Sequence, residues 1–354
     1  YTDNDEEYHT VTCSNCDYSA TEEHSYVNGV CSKCNAIENS IDLTKAIYLY
    51  KAGSFSITNE NSVNATVSYN ENPDCTSNSI AEIFNEDIGS NFCVYLNNDI
   101  TEDVTVKQSF YLDLNGKTIT GTGTASVISF YSYSSSNNVL NLLDSSADKT
   151  GKITGGSATN PYKQGGGIYV TKGTLKMYGG VITGNTAIDG GGIAIISDTN
   201  KEANFEMYGG KITANTGKSF GFGVYVKTNS VSAPSATFKM YGGEISGNNP
   251  ATDAYSANYG GGVAIKGYYK SSEGSKSADL EMSGGRIESN TAACGGGISL
   301  TTYSTATISG GTVSQNVATT DSQTSCGRGG GIFVENSILT FSNLTISDNV
   351  AKST

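Results

Sequence analysis

Between Gly165 and the carboxyl terminus one phrase recurs with variations: a glycine run, an apolar-x-apolar triplet, a second apolar strand ending in Gly-Gly, then Ile/Val-x-x-Asn. The triplets are Ile168-Tyr169-Val170, Ile193-Ala194-Ile195, Val224-Tyr225-Val226, Val263-Ala264-Ile265, Ile298-Ser299-Leu300 and Ile332-Phe333-Val334. The asparagines follow at Asn185, Asn215, Asn248, Asn290, Asn316 and Asn349. A unit this short has no room to bury its own apolar face, so successive copies must stack on one another. The pattern predicts a solenoid.

Aligning the copies separates inside from outside. The second strand reads Leu175-Lys176-Met177, Phe205-Glu206-Met207, Phe238-Lys239-Met240 and Leu280-Glu281-Met282, then Ala306-Thr307-Ile308 and Leu339-Thr340-Phe341. Side chains alternate faces along a strand, so the flanking apolar residues point inward and the middle one outward. The outward series Lys176, Glu206, Lys239, Glu281 then forms a charge ladder on coils roughly 4.8 Å apart. A second column, Lys211, Glu244, Arg286, also alternates in sign. Opposite charges one rung apart attract by a few tenths of a kcal/mol and like charges repel, so alternation sets the stacking register. A third column, Tyr178, Tyr208 and Tyr241, predicts a structural aromatic stack.

The asparagines fall at the corner closing each coil, where their amides reach the copies on either side as in a stacked Asn ladder. Removing one would leave buried partners unmatched, at a cost of roughly 1–3 kcal/mol. Three strands per coil, all coils parallel and progressing one way, describe a right-handed parallel β-helix. The pairing of Ile182-Thr183-Gly184-Asn185 with Gly190-Gly191-Gly192-Ile193 resembles the repeats of polymorphic outer-membrane proteins, in which Phe-x-x-Asn alternates with Gly-Gly-Ala-Ile. The resemblance covers about residues 165–351, with Ile standing for Phe. It implies a β-helical passenger acting in adhesion.

Upstream, Val94-Tyr95-Leu96 and Phe110-Tyr111-Leu112-Asp113-Leu114-Asn115-Gly116-Lys117-Thr118-Ile119 read as opening coils, with Asn115-Gly116 a turn signal. The Leu-Asp-Leu-Asn-Gly-Lys-Thr-Ile segment is similar to the first coils of many secreted bacterial β-helix proteins. Ser79-Ile80-Ala81-Glu82 is a capping box opening a short amphipathic helix with Ile80, Ile83 and Phe84, suited to plug the open apolar end of the stack. Residues 41–75 carry two or three strands without a legible position. The organisation expected is a Cys-rich module over 1–40, strands and cap helix over 41–92, and the β-helix over 93–354. After Asn349 the sequence carries no cap, and an uncovered coil is an open strand edge. A following domain, further coils or end-to-end self-association is the expected cover.

Four of the eight cysteines read Cys13-x-x-Cys16 and Cys31-x-x-Cys34. With Asp17 and Asn35 after each pair, this is a zinc-knuckle pattern of four thiolates closing a structural tetrahedral site. Two cross-pair disulfides are the alternative in an exported chain; His9 and His24 are reserve ligands. The stretch His24–Cys31 resembles zinc-ribbon-like modules of secreted proteins from Gram-positive gut bacteria. Cys294 and Cys326 precede glycine runs on consecutive coils, and Cys75 and Cys93 flank the expected helix; both pairs are expected to be disulfides.

Forty-three glycines, no tryptophan and four prolines describe short strands and tight turns. A net charge of −13 argues against nucleic acid or an anionic membrane as partner. No apolar run approaches the roughly 18–20 residues needed to span a bilayer. Tyr1 is followed by acidic residues rather than a leader pattern, so a processed, secreted or surface-displayed chain is expected.

Both histidines lie in the first 24 residues, outside the repeats. The repeats carry no Asp-Asp pair or Gly-His-Gly, and their columns set Lys opposite Glu where glycoside hydrolysis needs paired carboxylates. Arg286 and Arg328 sit in no acidic cluster of the kind a calcium-dependent lyase would need. Asp253, Glu273 and Asp321 on loops keep a polysaccharide lyase or glycoside hydrolase as a third reading. Insertions grow in the middle coils and bring Tyr255, Tyr259, Tyr268 and Tyr269, side chains that stack on sugars or anchor protein contacts. These rings could equally cover loop backbone, since tyrosine is common here (22 copies). The expected function is binding or adhesion toward a glycan or partner protein, ahead of a structural spacer or self-assembling stalk.

Overall fold

A computed structural model of the chain describes residues 44–70, 72–83, 92–131, 137–160, 164–255, 257–319 and 327–352. Before them it describes only the backbone of five short strands, Thr2–Asp3, Tyr8–Thr12, Ser19–Glu23, Tyr26–Val27 and Val30–Cys31. The chain is all-β with long parallel sheets, as a β-helical solenoid requires. Each copy of the repeat adds one strand to each of three sheets. Gly173–Met177, Val181–Thr183 and Ile193–Ser197 are followed by Ala203–Met207, Lys211–Thr213 and Val224–Thr228, every strand parallel to its counterpart one coil earlier. We call these the Met sheet, the Ile sheet and the glycine-led sheet.

The alternation of apolar and polar residues decides which face is buried. Met177, Met207, Met240 and Met282 stack inside, and the rings of Phe205 and Phe238 lie parallel with centroids 4.7 Å apart. Each such side chain contributes roughly 1.5–3 kcal/mol by leaving water. Outside, Lys176 pairs with Glu206, Glu206 with Lys239 and Lys239 with Glu281, so the four lie in one column. Two ion pairs close within it, Lys176–Glu206 at 3.6 Å and Lys239–Glu281 at 3.1 Å. In the second column Glu244 sits between Lys211 at 3.4 Å and Arg286 at 2.9 Å. The bonds from Ser246 and Arg286 hold the Glu244 carboxyl below its ordinary range. The tyrosine stack also forms, with centroids 5.0 Å apart for Tyr178–Tyr208 and 4.8 Å for Tyr208–Tyr241.

The asparagine corner is saturated with hydrogen bonds. Asn215 Nδ2 donates to Asn248 Oδ1 at 3.1 Å and to the Ile182 carbonyl at 2.9 Å, while its backbone N–H reaches the same Oδ1 at 3.0 Å. The arrangement repeats from Asn185 through Asn316, whose amide reaches Asn349. The residue before each asparagine turns the chain in the left-handed region, whether glycine (Gly184) or not (Ala214, Ser289, Gln315). At the glycine corner neighbouring backbones meet so closely that a Cβ on Gly192 would lie 2.6 Å from the Gly223 carbonyl oxygen.

At the amino-terminal end of the stack, Ile47–Tyr50 pairs antiparallel with Cys93–Leu96 on one side and with Cys75–Ser77 on the other. The one-turn helix Ile80–Ile83 buries Ile80 in the core. Its N-terminus is capped by Ser79 Oγ, which accepts from Glu82 N at 3.3 Å, and by Glu102, which accepts from Ile80 N at 2.7 Å. Phe84 lies outside the described residues. The hairpin Phe55–Thr58 and Thr66–Tyr69 lies over the outer face of the Met sheet, where Asn61 accepts a 2.5 Å bond from Lys176.

One expectation is overturned here. Cys75 and Cys93 are buried thiols without a disulfide between them. Cys75 pairs with Leu49 and Cys93 with Tyr50, on opposite sides of the same strand. That places them two strand spacings apart, about 10 Å, where a disulfide tolerates about 7 Å between Cα atoms. They also point to opposite faces: Cys75 joins the core, whereas Cys93 Sγ lies 3.4 Å from the Tyr69 hydroxyl on the outer face. Burial pushes the Cys93 thiol well above its usual range. Under native, non-reducing conditions both should resist iodoacetamide and become labelled only on denaturation, without reductant; peptide mapping by mass spectrometry checks this.

Candidate functional site

The four tyrosines singled out from the sequence do not form one patch. Tyr259 precedes the strand Val263–Lys266, and Tyr268 and Tyr269 follow it, so the strand's length separates the two groups. Tyr255 is exposed at the first end, its N–H bonded to the Lys218 carbonyl at 2.8 Å. Tyr259 lies parallel to Phe220 with centroids 5.1 Å apart and reaches Phe333 at 6.0 Å. These rings cover the outer face of the glycine-led sheet.

At the other end, Tyr268–Lys270 and Gly274–Lys276 pair as a hairpin. Tyr268 donates to Glu273 at 2.8 Å, and Lys270 also pairs with Glu273, so this carboxyl sits below its ordinary range. Tyr269 packs on Tyr303 from the next coil, with centroids 5.1 Å apart. Beside them opens a cleft of about 480 Å³ lined by Ser275, Ser277, Tyr303, Ser304, Asn336 and Ser337, with Thr305 and Ile338. The lining presents hydroxyls, an amide and a phenol, and no carboxylate.

Backbone geometry holds Tyr303 there. Thr302 and Tyr303 are consecutive residues in the left-handed region, with φ of 56° and 60°. Each non-glycine residue in that conformation costs about 1–2 kcal/mol, and for β-branched or bulky side chains it is an outlier. The turn is fixed by the Tyr303 N–H bond to the Asn336 carbonyl at 2.7 Å and by Ser304 Oγ on Ser337 Oγ at 3.1 Å. Strain of this kind collects where a side chain must be aimed. Tyr303 carried no sequence signal: it falls in a short connection, and only the hairpin inserted one coil earlier turns that connection into a cleft wall.

Among the described residues no cluster of three or more His, Cys, Asp or Glu is placed to hold a metal ion. Cys13, Cys16 and Cys34, with His24, lie outside the described residues, and Cys31 and His9 are described in backbone only. Cys294 is buried and its backbone is bridged to Arg328 one coil on, whereas Cys326 lies outside the described residues. No helix among the described residues is long and apolar enough to cross a membrane. Comparison of the chain with protein-family models, with curated proteins and with solved structures finds no match.

Proposed function

We propose that this chain is a secreted or cell-surface binding protein. A right-handed β-helix of three strands per coil, plugged at its amino-terminal end by the helix Ile80–Ile83, presents a carbohydrate-binding cleft beside Tyr269 and Tyr303. The observation that carries this reading is the strained Thr302–Tyr303 turn, which sets an aromatic ring at the mouth of a cleft lined by neutral hydroxyl and amide groups. Aromatic faces pack against sugar rings, and hydroxyls and amides match sugar hydroxyls. A lining without carboxylates lacks the acid and base that glycoside hydrolysis requires, which favours retention over cleavage. In the same reading, the amino-terminal module is held by a structural zinc on Cys13, Cys16, Cys31 and Cys34 or by disulfides, and Cys294 bridges to Cys326.

The test is Tyr303→Gly. Relief of the left-handed strain, about 1–2 kcal/mol, offsets the lost ring packing, about 0.5–1.5 kcal/mol, so stability should stay within about 1 kcal/mol of the parent. Binding to neutral glycans on an array should fall at least roughly tenfold, as it does when an interfacial aromatic anchor is removed. Unchanged binding would move the site elsewhere, and released reducing-end or unsaturated products would favour the enzyme reading.

A further inference from the structure

The outer face of the glycine-led sheet breaks the charge logic of the rest of the solenoid. In the two ladders, stacked charges alternate in sign. On this face Lys227 pairs directly with Lys266 on the next rung. Like charges facing each other across roughly 4.8 Å repel, and the arrangement is destabilising by itself. Among the described residues neither lysine has a hydrogen bond or an ion pair; Lys266 Nζ instead lies 4.2 Å above the Phe220 ring. Burial pushes both amines below their ordinary range, and the charge of Lys227 adds to the effect at Lys266.

The nearby acids act on the pair only through space, Asp189 on both lysines and Asp198 on Lys227, and form no ion pair with either. Asp189 Oδ1 accepts from Phe220 N at 3.2 Å and Oδ2 from Gln164 at 3.1 Å. Burial holds the Asp189 carboxyl above its ordinary range. Asp198, whose Oδ1 accepts from Thr199 N at 2.8 Å, acts on Lys227 only through space. Glu335 lies beyond Thr301 in the lysine column, two rungs from Lys266. Arg328 and Glu335 flank Tyr259 with opposite effects on its phenol.

A second observation is independent of charge. Thr301 stands one rung beyond Lys266 in the same column, and Ser299 lies beside it on the same face. Thr301 is 5% exposed and Ser299 0%, and the hydroxyl oxygen of each has no hydrogen-bond partner. Leaving a buried hydroxyl unmatched is costly in free energy. Two cations and two unpaired hydroxyls therefore share one face, with Lys266 Nζ over the Phe220 ring. The two lysines and Thr301 would be satisfied by an oxyanion that also carries hydroxyl groups.

We propose that Lys227, Lys266 and Thr301, on the outer face of the glycine-led sheet beside the ring of Phe220, form a binding site for the carboxylate of an acidic sugar, such as a uronic acid residue in an otherwise neutral glycan. The chain's net charge of −13 repels a long polyanion while leaving room for an isolated carboxylate. Rings suited to packing on a sugar, with spare hydroxyls, favour a sugar acid over an acidic peptide. Thr301 lies two residues before Tyr303, but none of Lys227, Lys266 and Thr301 lines the Tyr303 cleft, so this site is distinct from it.

The test uses the full chain in calorimetric titration, with glucuronic acid as probe and glucose, glutamate and inorganic sulfate as comparators. Glucuronic acid should bind saturably, weaken with added salt, and lose affinity roughly tenfold or more in Lys266→Gln and in Lys227→Gln. Lys227→Gln and Lys266→Gln, which lie outside the cleft lining, should leave neutral-glycan binding at Tyr303 unchanged, so the two sites fail or succeed separately. In the absence of ligand, Lys227→Gln should raise the melting temperature by removing the repulsion, whereas lysines kept for packing would lower it. Equal binding of glutamate or sulfate would overturn the sugar class. Absence of saturable glucuronic acid binding, or binding indifferent to both substitutions, would overturn the site.

Discussion

Replacing Asn248 by alanine should cost about 2–6 kcal/mol, from two buried donors left unmatched at about 1–3 kcal/mol each. Asn248 Oδ1 accepts both the backbone N–H and the side-chain amide of Asn215, at 3.0 and 3.1 Å. Its own Nδ2 donates to the Ile212 carbonyl at 3.0 Å and to Asn290 Oδ1 at 2.9 Å. The residue is fully buried, so water cannot take over these bonds. The same change at Asn349, which is partly exposed at the last described rung, should cost clearly less. Denaturant midpoints of the two variants, read with amide exchange at Asn215, check the ranking; equal costs would mean that the column contributes no cooperative bonding.

A second large effect concerns Phe222 and Gly217. The middle residue of the glycine corner is glycine at Gly191, Gly261 and Gly296, but here it is Phe222, fully buried. The position that faces it is alanine at Ala158, Ala187, Ala292 and Ala318 and proline at Pro250, but here it is Gly217, where an added Cβ would lie 2.2 Å from the Phe222 ring. The large residue and the missing methyl compensate each other. Phe222→Gly alone should cost about 3–5 kcal/mol by opening a cavity, and Gly217→Ala alone about 1–3 kcal/mol by overpacking. The double variant restores the pattern of the other coils and should cost clearly less than the sum. A thermodynamic cycle measures the coupling between such contacting residues; additive costs would show that the two sites do not compensate.

Much of the body was legible because side-chain direction in a strand follows from chain position alone. Lys176, Glu206, Lys239 and Glu281 could be assigned to one outward column from their place between inward residues, and the pairing agrees. The asparagines were legible for a related reason: a constant offset from an inward isoleucine in a stacked chain leaves only a column. The lysine pair had the same kind of signal, since Lys227 and Lys266 occupy the same place after Val224-Tyr225-Val226 and Val263-Ala264-Ile265. What it lacked was burial, and burial comes from rings on a corner outside the strand.

The cysteines and tyrosines show where that reasoning stops. Cys75 and Cys93 are close in sequence, but an antiparallel strand from residues 47–50 inserts between them and sets them on opposite faces. Tyr259 and Tyr269 are ten residues apart, but an extended strand carries them to opposite ends of one rung. Sequence by itself determined the repeat, the inward and outward faces and the ladders, because these rest on local periodicity multiplied by stacking. Tertiary structure decided which insertions meet, which thiols are neighbours and which hydroxyls are left without partners. Those outcomes depend on through-space contacts between loops of unequal length, for which a repeat carries no pattern.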